Sequence, residues 1–159
     1  MSEGRWVLFL LGGDLEDPRW FVDRATQRLG EAFGQTPRAS RDHWTEPWGF
    51  QDHRFFLNRA LLIRTNDTPD GIMATALAIE RELGRVRAGA DRYAPRTIDI
   101  DVLMVEGLVL RSEHIDLPHP RMHERAFALA PAADLCPDQL HPVLGLTVLQ
   151  LLNELQGRT

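Results

Sequence analysis

Two aspartates separated by one residue, Asp99 and Asp101, stand in a run, T-I-D-I-D-V-L-M-V over 97–105, whose other positions are β-branched or apolar. That composition predicts a strand. Strand side chains alternate between faces, so the two acids share one face, with Leu103 and Val105 continuing it toward the core. Their backbone positions would lie about 6.6 Å apart. Two unit charges at about that spacing repel by about 2.5 kcal/mol at an effective dielectric of about 20, and a cation between them removes the repulsion. Carboxylate oxygens at the wet end of an otherwise apolar strand are the donors Mg²⁺ takes. Two solvated acids at the mouth of an edge strand are the plainer alternative.

Just upstream, Arg85, Arg87, Arg92 and Arg96 are opposed only by Asp91, so residues 85–96 carry +3 in a chain of net charge −5. Guanidinium forks match phosphate oxygens in bidentate geometry. Four arginines beside a carboxylate pair therefore describe a polyphosphate held between guanidinium groups and a divalent ion. Arginines could instead merely neutralise the aspartates, but Gly84, Gly89, Ala94 and Pro95 make the segment read as a loop that can move, which static neutralisation would not need.

All 18 basic residues are arginine. Without lysine there is no P-loop of the G-x-x-x-x-G-K-[ST] type, no Schiff base and no lysine general base, so ATP would have to be handled in another way. The net charge argues against a general nucleic-acid binder. Cys136 is the single cysteine, which rules out an internal disulfide and a cysteine-based zinc site. No apolar run approaches the roughly 18 residues of a membrane span, and the N-terminal M-S-E-G-R-W lacks a signal-peptide pattern. The expectation is one cytoplasmic domain over residues 1–159, without membrane or nucleic-acid partners, working as a monomer.

The elements that must position these residues follow from periodicity. Trp6–Leu11 predicts a strand, and Gly12-Gly13 after it is too common a turn to mark a phosphate site. Asp17 as N-cap and Pro18 at the first position open a helix with Phe21, Ala25, Leu29 and Phe33 on one face, ended by Gly34. Residues 38–44 predict a second strand. The stretch T-E-P-W-G-F-Q-D-H-R reads as a surface loop whose aromatics either cover a flat ligand or pin the loop to the core. Phe55–Arg64 predicts a third strand with Phe56, Asn58, Ala60, Leu62 and Arg64 on one face. There Asn58 could read the edge of a heterocycle or only satisfy a loop backbone group. Thr68-Pro69 starts a helix to about Leu83 with Met73, Ala76, Leu77 and Glu80 on a stripe, Glu80 being expected to pair with an arginine of the next loop. Glu106-Gly107 predicts a hairpin into Leu108–Leu110. His119 lies between two prolines, as a positioned donor would. Its spacing to His123 resembles that of zinc ligands, but no third ligand accompanies them. Thr147–Leu155 predicts the last helix, with Leu149, Leu152 and Leu155 inward.

The segments G-R-V-R at 84–87, R-Y-A-P-R-T-I-D-I-D at 92–101, L-P-H-P at 117–120 and E-R-A-F at 124–127, in this order and spacing, resemble the 6-hydroxymethyl-7,8-dihydropterin pyrophosphokinases of folate biosynthesis. T-E-P-W-G and F-L-N also fall where that family has its second loop and third strand. The resemblance implies an α+β, ferredoxin-like fold, mainly an antiparallel sheet with helices on both sides. It also implies transfer of pyrophosphate from ATP to the pterin hydroxymethyl group, leaving AMP.

Carried over residue by residue, the resemblance implies that Asp99 and Asp101 hold two Mg²⁺ ions and that Arg85, Arg87, Arg92 and Arg96 lie on or beside a loop that closes on ATP. Arg85 and Arg92 join the aspartates as catalytic groups. Ile98, His119 and Arg125 would complete the ATP site. Asn58 would bond the pterin edge; Thr45, Pro47, Trp48, Tyr93 and Asp99 would frame the ring, and Phe56 and Phe127 would stack on it. Three departures stand out: Tyr93 where the family often has tryptophan, Phe56 where it often has tyrosine, and Gly13-Asp14 where it often has Ser-Asn. The first two keep a ring. The third adds an acceptor-only charge to the first loop.

Overall fold

The structure is a computed structural model that describes residues 4–13, 17–45, 56–88 and 98–157. Strand β1 (Arg5–Gly13) runs through the middle of the sheet as R-W-V-L-F-L-L-G-G and is buried on both faces along Val7–Leu11. It pairs antiparallel with β4 (Phe56–Thr65) on one side and with β5 (Asp99–Val105) on the other. Two short strands, β2 (Arg38–Ala39) and β3 (His43–Thr45), pair in turn with β4.

The predicted strand over 38–44 is thus broken, and Ser40 breaks it. Its N–H donates to the Ala60 carbonyl at 2.9 Å, while its Oγ accepts from the Ala60 N–H at 2.9 Å. The hydroxyl stands where the serine carbonyl would continue the ladder. With β2 and β3 counted as one interrupted strand, the order β2-β4-β1-β5 is that of the ferredoxin-like arrangement of strand-helix-strand, twice.

Helix α1 (Pro18–Phe33) starts and ends as its caps predict. Asp17 accepts from the Trp20 N–H at 3.4 Å, and Gly34 closes the helix in the left-handed region. It packs with α2 (Pro69–Ala88) on one face of the sheet, over Val7, Phe9, Leu11, Leu57, Leu61 and Val102. The inward stripe of α2 is Ile72, Ala76, Ile79 and Leu83, which keeps Ala76 of the predicted stripe; Met73 is partly buried against the same core and Leu77 is 42% exposed. Apart from Glu80 both stripes are apolar, and the sheet selects the one rich in β-branched side chains.

Helices α3 (Ala126–Leu135) and α4 (Val148–Gln156) cover the opposite face, over Leu8, Leu10, Ala60, Leu103 and Met104. A capping box between Thr147 and Gln150 opens α4. Its inward residues are Val148, Leu151 and Leu152, with Leu155 partly buried and Leu149, predicted inward, 41% exposed. Helices therefore lie on both sides of an antiparallel sheet, as expected.

Two expectations about β5 are corrected. A bulge opposite Leu8/Phe9 inserts one residue, so Leu103 and Met104 both join the second core and Val105 joins the first, across the sheet from the aspartates. The turn at Glu106-Gly107 forms, with Gly107 at φ +73 and the Leu108 N–H on the Val105 carbonyl at 3.0 Å. The chain beyond it does not return along β5. Instead β6 (Leu110–Arg111) pairs with β7 (Asp116–Leu117). The outer edge of β5 is taken by other groups: the His119 N–H on the Leu103 carbonyl at 2.7 Å, and Glu80 on the Ile100 N–H at 2.6 Å.

Candidate active site

The polar end of the sheet is built by register. Strand β1 sets Gly12 opposite Asn58 of β4 and opposite Asp99 of β5; one step inward it sets Leu10 opposite Ala60 and Asp101. Directly opposed residues point to the same face. Asn58, Asp99 and Asp101 therefore share the face covered farther along by α3 and α4, as the alternation in each strand predicts. Asn58 is only 7% exposed. Among the described residues its amide has no hydrogen-bond partner, so the backbone-satisfying role is not found there. Neither Oδ1 nor Nδ2 of Asn58 is among the fully buried unpaired atoms, so the amide can both donate to and accept from a ring edge.

Asp99 is exposed and Asp101 half-buried. Two carboxylates on one face are hard oxygen donors that fit Mg²⁺. Among the described residues no three His, Cys, Asp or Glu side chains gather into a cage. An ion held by this pair would keep positions open for phosphate oxygens and water. Glu80 reaches from α2 to the N–H of Ile100, the residue between the two acids, at 2.6 Å; the loop expected to supply it with an arginine lies outside the described residues.

His119 follows the cis Leu117–Pro118 bond and sits against the outer edge of β5. Its Nδ1 accepts from the Arg121 N–H at 3.1 Å, which leaves Nε2 carrying the proton. Burial lowers its pKa most; Asp101 pulls it up, and Arg125 and Arg121 push it down. A neutral Nε2–H donor beside Asp101 results. Arg125 precedes α3 and lies 5.5 Å from the centroid of the Phe127 ring, itself exposed on the first turn of that helix. Phe56 is half-buried opposite Thr45, and alternation from Asn58 puts it on the α3 side of the sheet.

The side chain of Ile98 is not part of this group. Ile98 is buried in the first core, so only its main chain is open to a ligand. Arg85 and Arg87 are on the last turns of α2, which runs through Gly84 to Ala88 instead of giving way to a loop there. Pro47, Trp48, Arg92, Tyr93, Arg96 and Asp14 lie outside the described residues. His123 packs edge-on to His141, at 6.0 Å between ring centroids. Burial pushes the Cys136 thiol up to about 11, so it is no nucleophile. Reasoning from sequence missed Arg121, which fixes the His119 tautomer, although its place two residues beyond a proline-bracketed histidine was a local signal. It also missed the part Gly12 plays between Asn58 and Asp99.

The family model for 7,8-dihydro-6-hydroxymethylpterin-pyrophosphokinase (HPPK) matches residues 8–137. The chain belongs to the HPPK family. The 2-amino-4-hydroxy-6-hydroxymethyldihydropteridine pyrophosphokinase of Methylorubrum extorquens is 40% identical over 146 residues, 91% of this chain and 90% of that protein. The enzyme of the same name from Bacillus subtilis is 36% identical over 127 residues, 79% of this chain and 75% of that protein. Among solved structures, a Plasmodium falciparum HPPK-DHPS matches 99% of this chain with a TM-score of 0.73 at 13% identity. This chain spans 46% of that longer one, and the likeness concerns the fold. The matched residues of the HPPK model run from within β1 through α3 and leave out α4.

Proposed function

We propose that the face carrying Asn58, Asp99 and Asp101 is where this HPPK domain binds a pterin and the triphosphate of ATP. The activity is pyrophosphoryl transfer from ATP to the hydroxymethyl group of 6-hydroxymethyl-7,8-dihydropterin, giving AMP and the pterin diphosphate in folate biosynthesis. The observation that carries the site assignment is the row Asn58–Gly12–Asp99. It sets a buried, unpartnered amide and a carboxylate two strands apart on one face.

In this reading Asn58 bonds the ring edge, and Phe56 and Phe127, both on the α3 side, hold the ring faces together with Thr45, Pro47, Trp48 and Tyr93. The Nε2–H of His119 donates to a phosphate oxygen, Arg125 lends charge from behind Phe127, and Arg85, Arg87, Arg92 and Arg96 close over the nucleotide. Two Mg²⁺ ions held by Asp99 and Asp101 would supply charge neutralisation along the triphosphate. The hydroxymethyl oxygen attacks the β-phosphorus in line, its bond to phosphorus forming as the bond to the departing AMP breaks. Positioning and preorganised charge carry most of the rate.

Incubation with ATP, Mg²⁺ and the hydroxymethyl dihydropterin tests this. AMP appears in step with pterin consumed. ADP with a monophosphorylated pterin would contradict it.

A further inference from the structure

Among the described residues four glycines, Gly4, Gly34, Gly107 and Gly145, have positive φ, the conformation that favours glycine. Gly12 does not; it is ordinary strand backbone in the middle of the sheet. Its reason is space. A Cβ built at Gly12 would lie 2.8 Å from Asn58 Oδ1 and 3.9 Å from Asn58 Cγ, whereas Gly34, Gly107 and Gly145 have nothing within 4 Å. The Asn58 amide thus occupies the volume that any side chain at position 12 would take. On its other side Gly12 faces Asp99, and two strand spacings put Asn58 and Asp99 about 10 Å apart across a floor with no side chain. Asn58 is buried and, among the described residues, unpartnered, so the amide leaning over that floor has its hydrogen-bonding capacity unused.

We propose that Gly12 is a specificity-determining residue. By lacking a side chain it lets the Asn58 amide lie across β1 and leaves a slot between Asn58 and Asp99 for a flat ring whose edge offers both donors and acceptors. The inference rests on the assignment of Asn58 to the pterin edge. A methyl group at position 12 displaces the amide oxygen, and the ring then loses the hydrogen bonds that distinguish it from a flat ring of the same size without such an edge.

The test is calorimetric titration of 6-hydroxymethylpterin into the full chain with Mg²⁺ and a non-hydrolysable ATP analogue. The proteins are the parent, Gly12→Ala, Asn58→Ala and the double variant. Gly12→Ala raises the pterin Kd about tenfold or more, the scale of a hydrogen bond lost in a desolvated site. Affinity for the ATP analogue changes by less than about twofold. The double variant binds pterin no worse than Asn58→Ala alone, because glycine acts through the amide. If Gly12→Ala melts lower than the parent, the double variant recovers the loss, since the clash is with Asn58.

Parental pterin affinity in Gly12→Ala, additive losses in the double variant, or a low melting point that Asn58→Ala does not restore would each overturn the role of Gly12. Parental affinity in Asn58→Ala is a different result. It removes the assignment of Asn58 to the ring edge, and the inference falls with it.

Discussion

One face of β4, β1 and β5 can be read as three successive rows: Leu62–Leu8–Met104, Ala60–Leu10–Asp101 and Asn58–Gly12–Asp99. The first row is core beneath α3 and α4; the last is a buried amide, a bare backbone and an exposed carboxylate. The backbone pairing that makes one end dry makes the other end the proposed site. Four side-chain choices separate them: Asn58, the absence of a side chain at Gly12, Asp99 and Asp101. The two ends should consequently fail in different ways.

The largest expected effect on folding is at the dry end. Leu8 is fully buried, and Leu8→Ala should lower stability by about 2–5 kcal/mol by leaving a cavity, with turnover per folded molecule unchanged. Urea melts and kcat read the two quantities. A comparable loss of kcat per folded molecule would mean that the rows are not separable. In the proposed nucleotide-binding loop, Arg92→Ala should lower kcat about 100-fold, the scale of one lost charge-stabilising donor, with pterin affinity little changed. An unchanged kcat in a less stable protein would make Arg92 a structural partner.

Glu80 belongs to both ends, since it closes the edge of β5 between the two acids. Glu80→Ala should cost about 1–2 kcal/mol of stability through the unpaired Ile100 N–H. Glu80→Gln, which keeps an acceptor, should cost less; equal losses would point to charge instead of the hydrogen bond.

The smallest effect is a pH dependence away from the site. His141 is buried, its Nδ1 accepts from the Val143 and Leu144 N–H groups, and its Nε2 has no partner. Burial, then His123, then Arg111 lower its pKa. A base with a lowered folded pKa stabilises fully above its unfolded value and loses that contribution as pH falls through the unfolded value toward the folded one. Stability should therefore fall as pH drops through the ordinary histidine value of about 6.5. His141→Asn, which keeps an acceptor for the turn, should flatten the slope. An unchanged slope would assign it to other groups.

Local chemistry made much of this legible in the sequence. Asp17-Pro18 and Gly34 bound α1, and alternation placed Asp99 with Asp101 and Asn58 with Ala60 on the faces they occupy. What escaped depends on residues far apart in the chain. The bulge that turns Val105 to the other core is a matter of register with Leu8 and Phe9. The α2 stripe was ambiguous because Met73 and Leu77 compete with Ile72 and Ile79, and only the sheet decides between them. Glu80 meets a backbone group 20 residues away, and a main-chain N–H leaves no mark in a sequence. Gly12 reads as a turn glycine until Asn58 and Asp99 are set on either side of it.

The central claim is that the charges at the polar end serve a ligand and not the fold, and Asp101→Asn tests it most directly. Thermal melts are taken for parent and variant without metal, then with Mg²⁺ and a non-hydrolysable ATP analogue. The metal-free variant should be as stable as the parent or more so, by at most the roughly 2.5 kcal/mol of carboxylate repulsion at about 6.6 Å. It should also lose most of the ligand-induced shift. A variant that melts lower without metal and still gains the parent's full shift would contradict the account.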